Sequence, residues 1–357
     1  MQYANYQPYP YYQNHMQSPQ EIKKAHDLKT LQKKSSGLGF YILTYFLSMN
    51  IIVVGIIFLL TVSMMLNMDI SNYDTETLTQ YMISKLTSGP VFYYMQIFAA
   101  AASATIPGLI YLKLSKTHIS DCLSVKSLKP AMLIALVLMG MGVSMVSNVA
   151  ADLVSSNFSL IGIEYSLDMN MSSRSVFENI LYVVAVAVTP AFAEEFAFRG
   201  ILMGSLRKYG NSFAIIVSAV MFGAMHGNII QIPFAFILGL VFAYIDCKAN
   251  SIIPSIIIHF INNLYSVIMD ILRSQNIVTT RSFYIIYYSI FTAMLVFGVL
   301  AFLYIMKKDK NFLSISDTSN VVSLSLKEKI KCFFTSAGTA TIVVIFILET
   351  IIASVAL

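Results

Sequence analysis

The sequence predicts an all-α polytopic membrane protein of about eight to nine transmembrane helices, with its N-terminus inside. Three observations carry that prediction. Hydrophobic types make up 57% of the 357 residues and charged types only 11%, whereas a soluble domain carries about 25% charge. Mean hydropathy is +0.71. The apolar residues also fall into nine runs, and a spanning helix needs about 20 such residues. The scarcity of charge excludes a soluble two-domain protein. It also argues against a nucleic-acid partner, because a net charge of +5 is modest and its placement follows membrane orientation.

In chain order, residues 1–38 read as a disordered cytoplasmic tail. The first 20 are rich in Tyr, Gln, Pro and Asn without helical or strand period, a composition that cannot bury a core. Lys23, Lys24, Lys29, Lys33 and Lys34 then read as a topological anchor. The apolar runs cover 40–66, 88–112, 130–151, 177–198, 212–226, 229–245, 251–269, 284–306 and 333–355. Residues 39–129 are expected to hold the N-terminal helices. A core of further spanning helices is expected over 130–306, and a basic loop with an extra C-terminal helix over 307–357. Loops rich in Lys and Arg alternate with poor ones, which places the basic loops inside. Cys122, Cys247 and Cys332 show no metal or disulfide spacing and fall at the inner side, as suits a reducing compartment. The runs 212–226 and 229–245 are short and meet at Gly227, Asn228 and Pro233. Short or interrupted membrane helices are tolerated where protein encloses a cavity.

Ionisable groups inside apolar runs are costly and need a partner or a wet cavity. Glu194, Glu195, Arg199, His226 and His259 lie there. Glu195 and Arg199 are four residues apart and share a helix face. Glu194 is turned about 100° away and can look into a cavity. Folding the chain at Gly210 leaves Glu194 sixteen residues before the turn and His226 sixteen after it. An antiparallel pair then brings both to one depth, roughly 24 Å along the helices. Pro190 suits an early helical position, so 177–189 is expected to be a separate half-helix and the fourth run bent or broken. Asn263 shares a face with His259. A water held between Glu194 and a histidine would be an activated nucleophile, and His259 with Asn263 could donate to a developing oxyanion. Zinc ligation by the two histidines and a glutamate is the residual alternative, without an HExxH to support it. Asp246 reads as an inner anchor and Glu349 as interfacial.

The chain resembles the CPBP family of intramembrane glutamic endopeptidases, which includes CAAX prenyl proteases and bacteriocin-processing or immunity proteins (Abi). Its EExxxR motif is matched by Glu194-Glu195-Phe196-Ala197-Phe198-Arg199. FxxxH is matched by Phe222 to His226, and HxxxN by His259 to Asn263. The resemblance implies a metal-independent peptidase without cofactor. Glu194 is then the water-activating base, His226 its helper, His259 and Asn263 the oxyanion donors, and Glu195 and Arg199 supporting residues. The implied substrate is a hydrophobic or membrane-associated peptide or protein in the bilayer, and the implied location a bacterial plasma membrane. The extra C-terminal helix could hold a membrane partner. A non-catalytic scaffold or immunity protein, and a proton-coupled transporter, are the competing functions.

Overall fold

A computed structural model describes residues 18–68, 74–159, 174–315, 317 and 323–355. Twelve helical elements account for nearly all of them: α1 (Pro19–Asn67), α2 (Thr75–Thr87), α3 (Gly89–Leu114), the short α4 (Ile119–Cys122), α5 (Pro130–Ser159), the composite α6 (Val176–Tyr209), α7 (Asn211–Ala224), α8 (Gln231–Ala249), α9 (Ile253–Ser274), α10 (Thr280–Lys308), α11 (Leu326–Phe334) and α12 (Ala337–Val355). Among the described residues the only β pairing is the single bridge Val125–Ser251. Eight of the helices are long and apolar enough to cross a membrane. The protein is a multi-pass membrane protein. The ninth apolar helix, α7, has 14 residues and rises about 21 Å, short of a hydrocarbon core of about 30 Å.

The tail expected over 1–38 is corrected where it can be seen; residues 1–17 lie outside the described residues. From Pro19 the chain is already helical. Ser18 and Glu21 close a reciprocal capping box and Pro19 occupies the first turn, both strong helix starts. Leu31, Ser35, Leu38, Ile42 and Tyr45 are buried, a 4-3-4-3 spacing that forms one helical face. The lysines between them hid that face from a reading by composition. The resulting 49-residue helix extends about 74 Å and projects well beyond a bilayer.

Glycines set the tightest crossings. A Cβ on Gly39 would lie 2.1 Å from the Thr339 backbone nitrogen, and one on Gly338 would lie 2.1 Å from the Ser36 carbonyl oxygen. The extra C-terminal helix α12 is thereby locked against α1. Gly142 of α5 and Gly298 of α10 meet in the same way. Small residues permit such backbone approach, which is how helices associate without a hydrophobic driving force. Around α6 and α7 lies a core of Phe198, Ile201, Phe213 and Phe222 that also takes in Ile42 of α1 and Phe346 of α12. The first and last spanning helices therefore pack into the same core as the motif-bearing ones.

Candidate active site

The composite α6 is one continuous helical run, not the broken pair expected at Pro190. Two π-helical stretches, Val184–Val188 and Phe196–Met203, interrupt its α-geometry. Such wide turns occur often at functional sites. Pro190 lacks the N–H that would return to the Val186 carbonyl four residues earlier. The Asn263 side chain supplies a donor instead, with Nδ2 3.1 Å from the Val186 oxygen. Asn263 Oδ1 accepts from Asn262 Nδ2 at 3.2 Å. One amide hydrogen of Asn263 is thus committed to the helix backbone.

The two carboxylates end the α-helical turn between the π-stretches and differ sharply. Glu195 and Arg199 are both fully buried, and Arg199 Nε stands 3.2 Å from Glu195 Oε2. That contact is an ion pair by distance, without the angle of a hydrogen bond. Arg199 also lies 4.2 Å from the centroid of Phe222 and 5.2 Å from that of Phe242. A guanidinium between ring faces gains cation–π attraction, which offsets part of its desolvation. Its Nη2 donates to the Gly239 carbonyl at 3.4 Å. Glu194 keeps about 18% of its side chain exposed, and its recorded ion-pair neighbour is His259, at 3.9 Å from Nε2 to Oε2.

His259 is the centre of the cluster. Its Nδ1 lies 3.0 Å from Glu195 Oε1, so the hydrogen sits on Nδ1 and donates to the carboxylate. Its ring packs against Phe242, with centroids 5.6 Å apart, and edge-on to Phe222 at 6.0 Å. His226 also packs edge-on to Phe222, at 5.1 Å. Its Nδ1 is 2.8 Å from the Phe222 carbonyl oxygen. A carbonyl can only accept, so Nδ1 carries the hydrogen and Nε2 of the neutral ring is left to accept. Phe222 therefore touches both imidazoles.

The chain reverses twice to build this arrangement. Gly210 (φ +129°) turns α6 into α7, and Gly227 (φ +59°) ends the turn that holds His226. Asn228 then starts α8 by accepting from Ile230 N at 2.9 Å. Glu194, Glu195, Arg199, His226 and His259 converge through His259 and Phe222. Asn263 is adjacent but turned toward α6. Among the described residues no three His, Cys, Asp or Glu side chains form a cluster that could hold a metal ion.

Three participants escaped the sequence reading. Asp246 is 1% exposed, not a surface anchor, and accepts from Ser255 Oγ at 2.7 Å. Ser144 of α5 donates to Asn262 Oδ1 and ties α9 from behind. Glu349 is not interfacial. It lies over Gly227, where a Cβ would come 2.8 Å from the Glu349 carboxyl carbon, and its Oε2 is sealed from solvent without a hydrogen-bond partner. The signal for Glu349 was present, since it is an acid in an apolar run. Its partner lies over a hundred residues away.

Comparison with known proteins joins these helices to a family. Residues 176–265, which span α6 through the two histidines, match the family model described as Type II CAAX prenyl endopeptidase Rce1-like. That match, over the same helices, supports the resemblance read from the three motifs. The matched segment contains Glu194, Glu195, Arg199, His226, His259 and Asn263, but not Ser144 or Glu349. The chain is also 27% identical over 103 residues to YdiL of Bacillus subtilis (strain 168), a protein named as a candidate membrane peptidase. That match covers 29% of this chain and 42% of YdiL, so the chain spans less than half the length of the curated relative it matches. No solved structure matches.

Proposed function

We propose that the protein is an intramembrane endopeptidase that hydrolyses a peptide bond of a membrane-associated peptide or protein with a carboxylate-activated water and no metal. The observation that carries this reading is the division of labour between the adjacent glutamates. Glu195 is neutralised by Arg199 and held by His259, while Glu194 faces His259 across 3.9 Å. That gap exceeds a hydrogen bond and suits a bridging water. In this mechanism Glu194 takes a proton from water, helped by Nε2 of His226. The water oxygen bonds to the scissile carbonyl carbon, and the oxyanion that forms is held by the remaining Asn263 N–H and by His259 when its Nε2 also carries a proton. The C–N bond then breaks and Glu194 returns the proton to the leaving amine. Glu195 and Arg199 hold the imidazole of His259 in place.

A hydrophobic peptide fits the lipid-embedded location, and the basic loops favour an inside N-terminus in a bacterial plasma membrane. The test compares peptide termini from cells carrying the wild-type protein with those from cells carrying Glu194→Ala. Cleavage by purified protein in liposomes, with and without chelator, is followed in parallel. Loss of specific termini in Glu194→Ala and His226→Ala, with wild-type folding and chelator-resistant activity, is expected. Full cleavage by a well-folded Glu194→Ala protein would overturn the assignment, and loss of activity with chelator would overturn the metal-free step.

A further inference from the structure

A second concave site lies at the basic end of the bundle, away from the glutamates. It is a cavity of about 1260 Å³ between the early part of α1, the α3–α4 turn and the C-terminal end of α6. Lys33, Lys34, Lys116, Arg207 and Lys208 line it, with Asp121 as its one carboxylate. None of the five cations stands in an ion pair among the described residues.

Basic residues at this end are expected from membrane topology alone. Topology does not require that cations from three distant stretches of chain converge on one cavity. The convergence is built. Lys34 is half-buried, donates to Thr117 Oγ1 at 3.2 Å and lies 5.1 Å from the Tyr111 ring centroid. Arg207 is aimed by Asn211 Oδ1 at 3.2 Å and Asn250 Oδ1 at 3.0 Å. The floor is rigid, because a Cβ on Gly204 would come 2.0 Å from the Cys122 carbonyl oxygen. Cys122 Sγ also touches Ser205 Oγ at 3.3 Å. Two of the apolar lining residues are also exposed: Phe40 is 48% exposed and Leu114 78%.

Unpaired lysines and an arginine around hydroxyls are the chemistry of a phosphate site, and basic cavities between membrane helices take anionic headgroups. We propose that this cavity binds the phosphate of an anionic phospholipid, with Phe40 and Leu114 against its acyl chains. Soluble phosphate offers the same anion without the chains.

The test uses the full-length protein in mild detergent, titrated with phosphatidylglycerol or phosphatidylcholine of identical acyl chains and read by native mass spectrometry. Wild-type protein is expected to prefer phosphatidylglycerol. K34Q/K116Q/K208Q is expected to lose that preference by about fivefold per lysine, from the roughly 1 kcal/mol each such charge contributes at an anionic surface. The charge-preserving K34R/K116R/K208R should retain most of it and guards against misfolding. The control K307Q/K308Q/K310Q, which removes equal charge outside the cavity, should retain it fully. Inorganic phosphate at millimolar concentration should not compete. Competition by it would keep the phosphate site and replace the lipid by the soluble anion. Equal binding of the two lipids by wild-type protein, or equal loss in the control, overturns the proposal.

Discussion

His259 donates from Nδ1 to Oε1 of Glu195 at 3.0 Å, and by that bond its Nε2 faces the neighbouring Glu194. One imidazole thus reads two adjacent carboxylates that a straight α-helix would turn about 100° apart. The buried pair Glu195–Arg199 underlies the arrangement, so its removal has a stability signature. Glu195→Ala should lower the unfolding free energy by about 3–5 kcal/mol, because it strands a buried guanidinium. Glu195→Leu combined with Arg199→Met should recover most of that stability, yet leave cleavage impaired, since His259 loses its tether. Thermal unfolding in detergent read beside peptide cleavage separates the two effects. Equal destabilisation by Glu194→Ala, whose side chain is partly exposed, would contradict this division.

Asn263 offers a sharper contrast between structure and chemistry. It satisfies the Val186 carbonyl that Pro190 cannot, and it is also the proposed oxyanion donor. Asn263→Ala should cost about 1–3 kcal/mol, the penalty for an unpaired buried acceptor. Adding Pro190→Ala restores a backbone N–H and should recover stability. Activity should stay low in the double variant if Asn263 also serves the reaction. Recovery of both would make Asn263 a purely structural residue.

Gly227 is constrained twice. Its φ of +59° is left-handed, and Glu349 occupies the space a side chain would need. Gly227→Ala should destabilise by about 1–2 kcal/mol from the backbone alone, with a further loss from the clash. Glu349→Ala in the same chain should remove the second part and not the first. A double-mutant cycle by chemical denaturation measures the coupling. Additivity of the two substitutions would show that α12 does not bear on the His226 turn.

Gly39 tests how the last helix is held. Gly39→Leu cannot be accommodated beside the Thr339 backbone and should detach α12 from α1. The expected readout is faster proteolysis between α10 and α12. Gly55, which has nothing near it, should tolerate the same change with little effect.

Much of this was legible in the chain itself. Charge scarcity and apolar runs set the all-α membrane fold, because continuous apolar runs of about 20 residues have the length of spanning helices, which satisfy their own backbone in lipid. Spacing alone paired Glu195 with Arg199, since four residues make about one helical turn, and Gly210 marked the reversal between α6 and α7. Other features depended on contacts between distant segments. Composition made residues 21–38 look like a tail, but α12, α3 and the core around α6 bury one face of it. Pro190 looked like a break, but Asn263 repairs the carbonyl it frees. Glu349 looked interfacial, but α1 carries α12 to the His226 turn. A sequence thus determines which groups must avoid lipid or seek a partner. Which partner each finds is decided by helix packing, where a missing glycine Cβ or one freed carbonyl sets the approach.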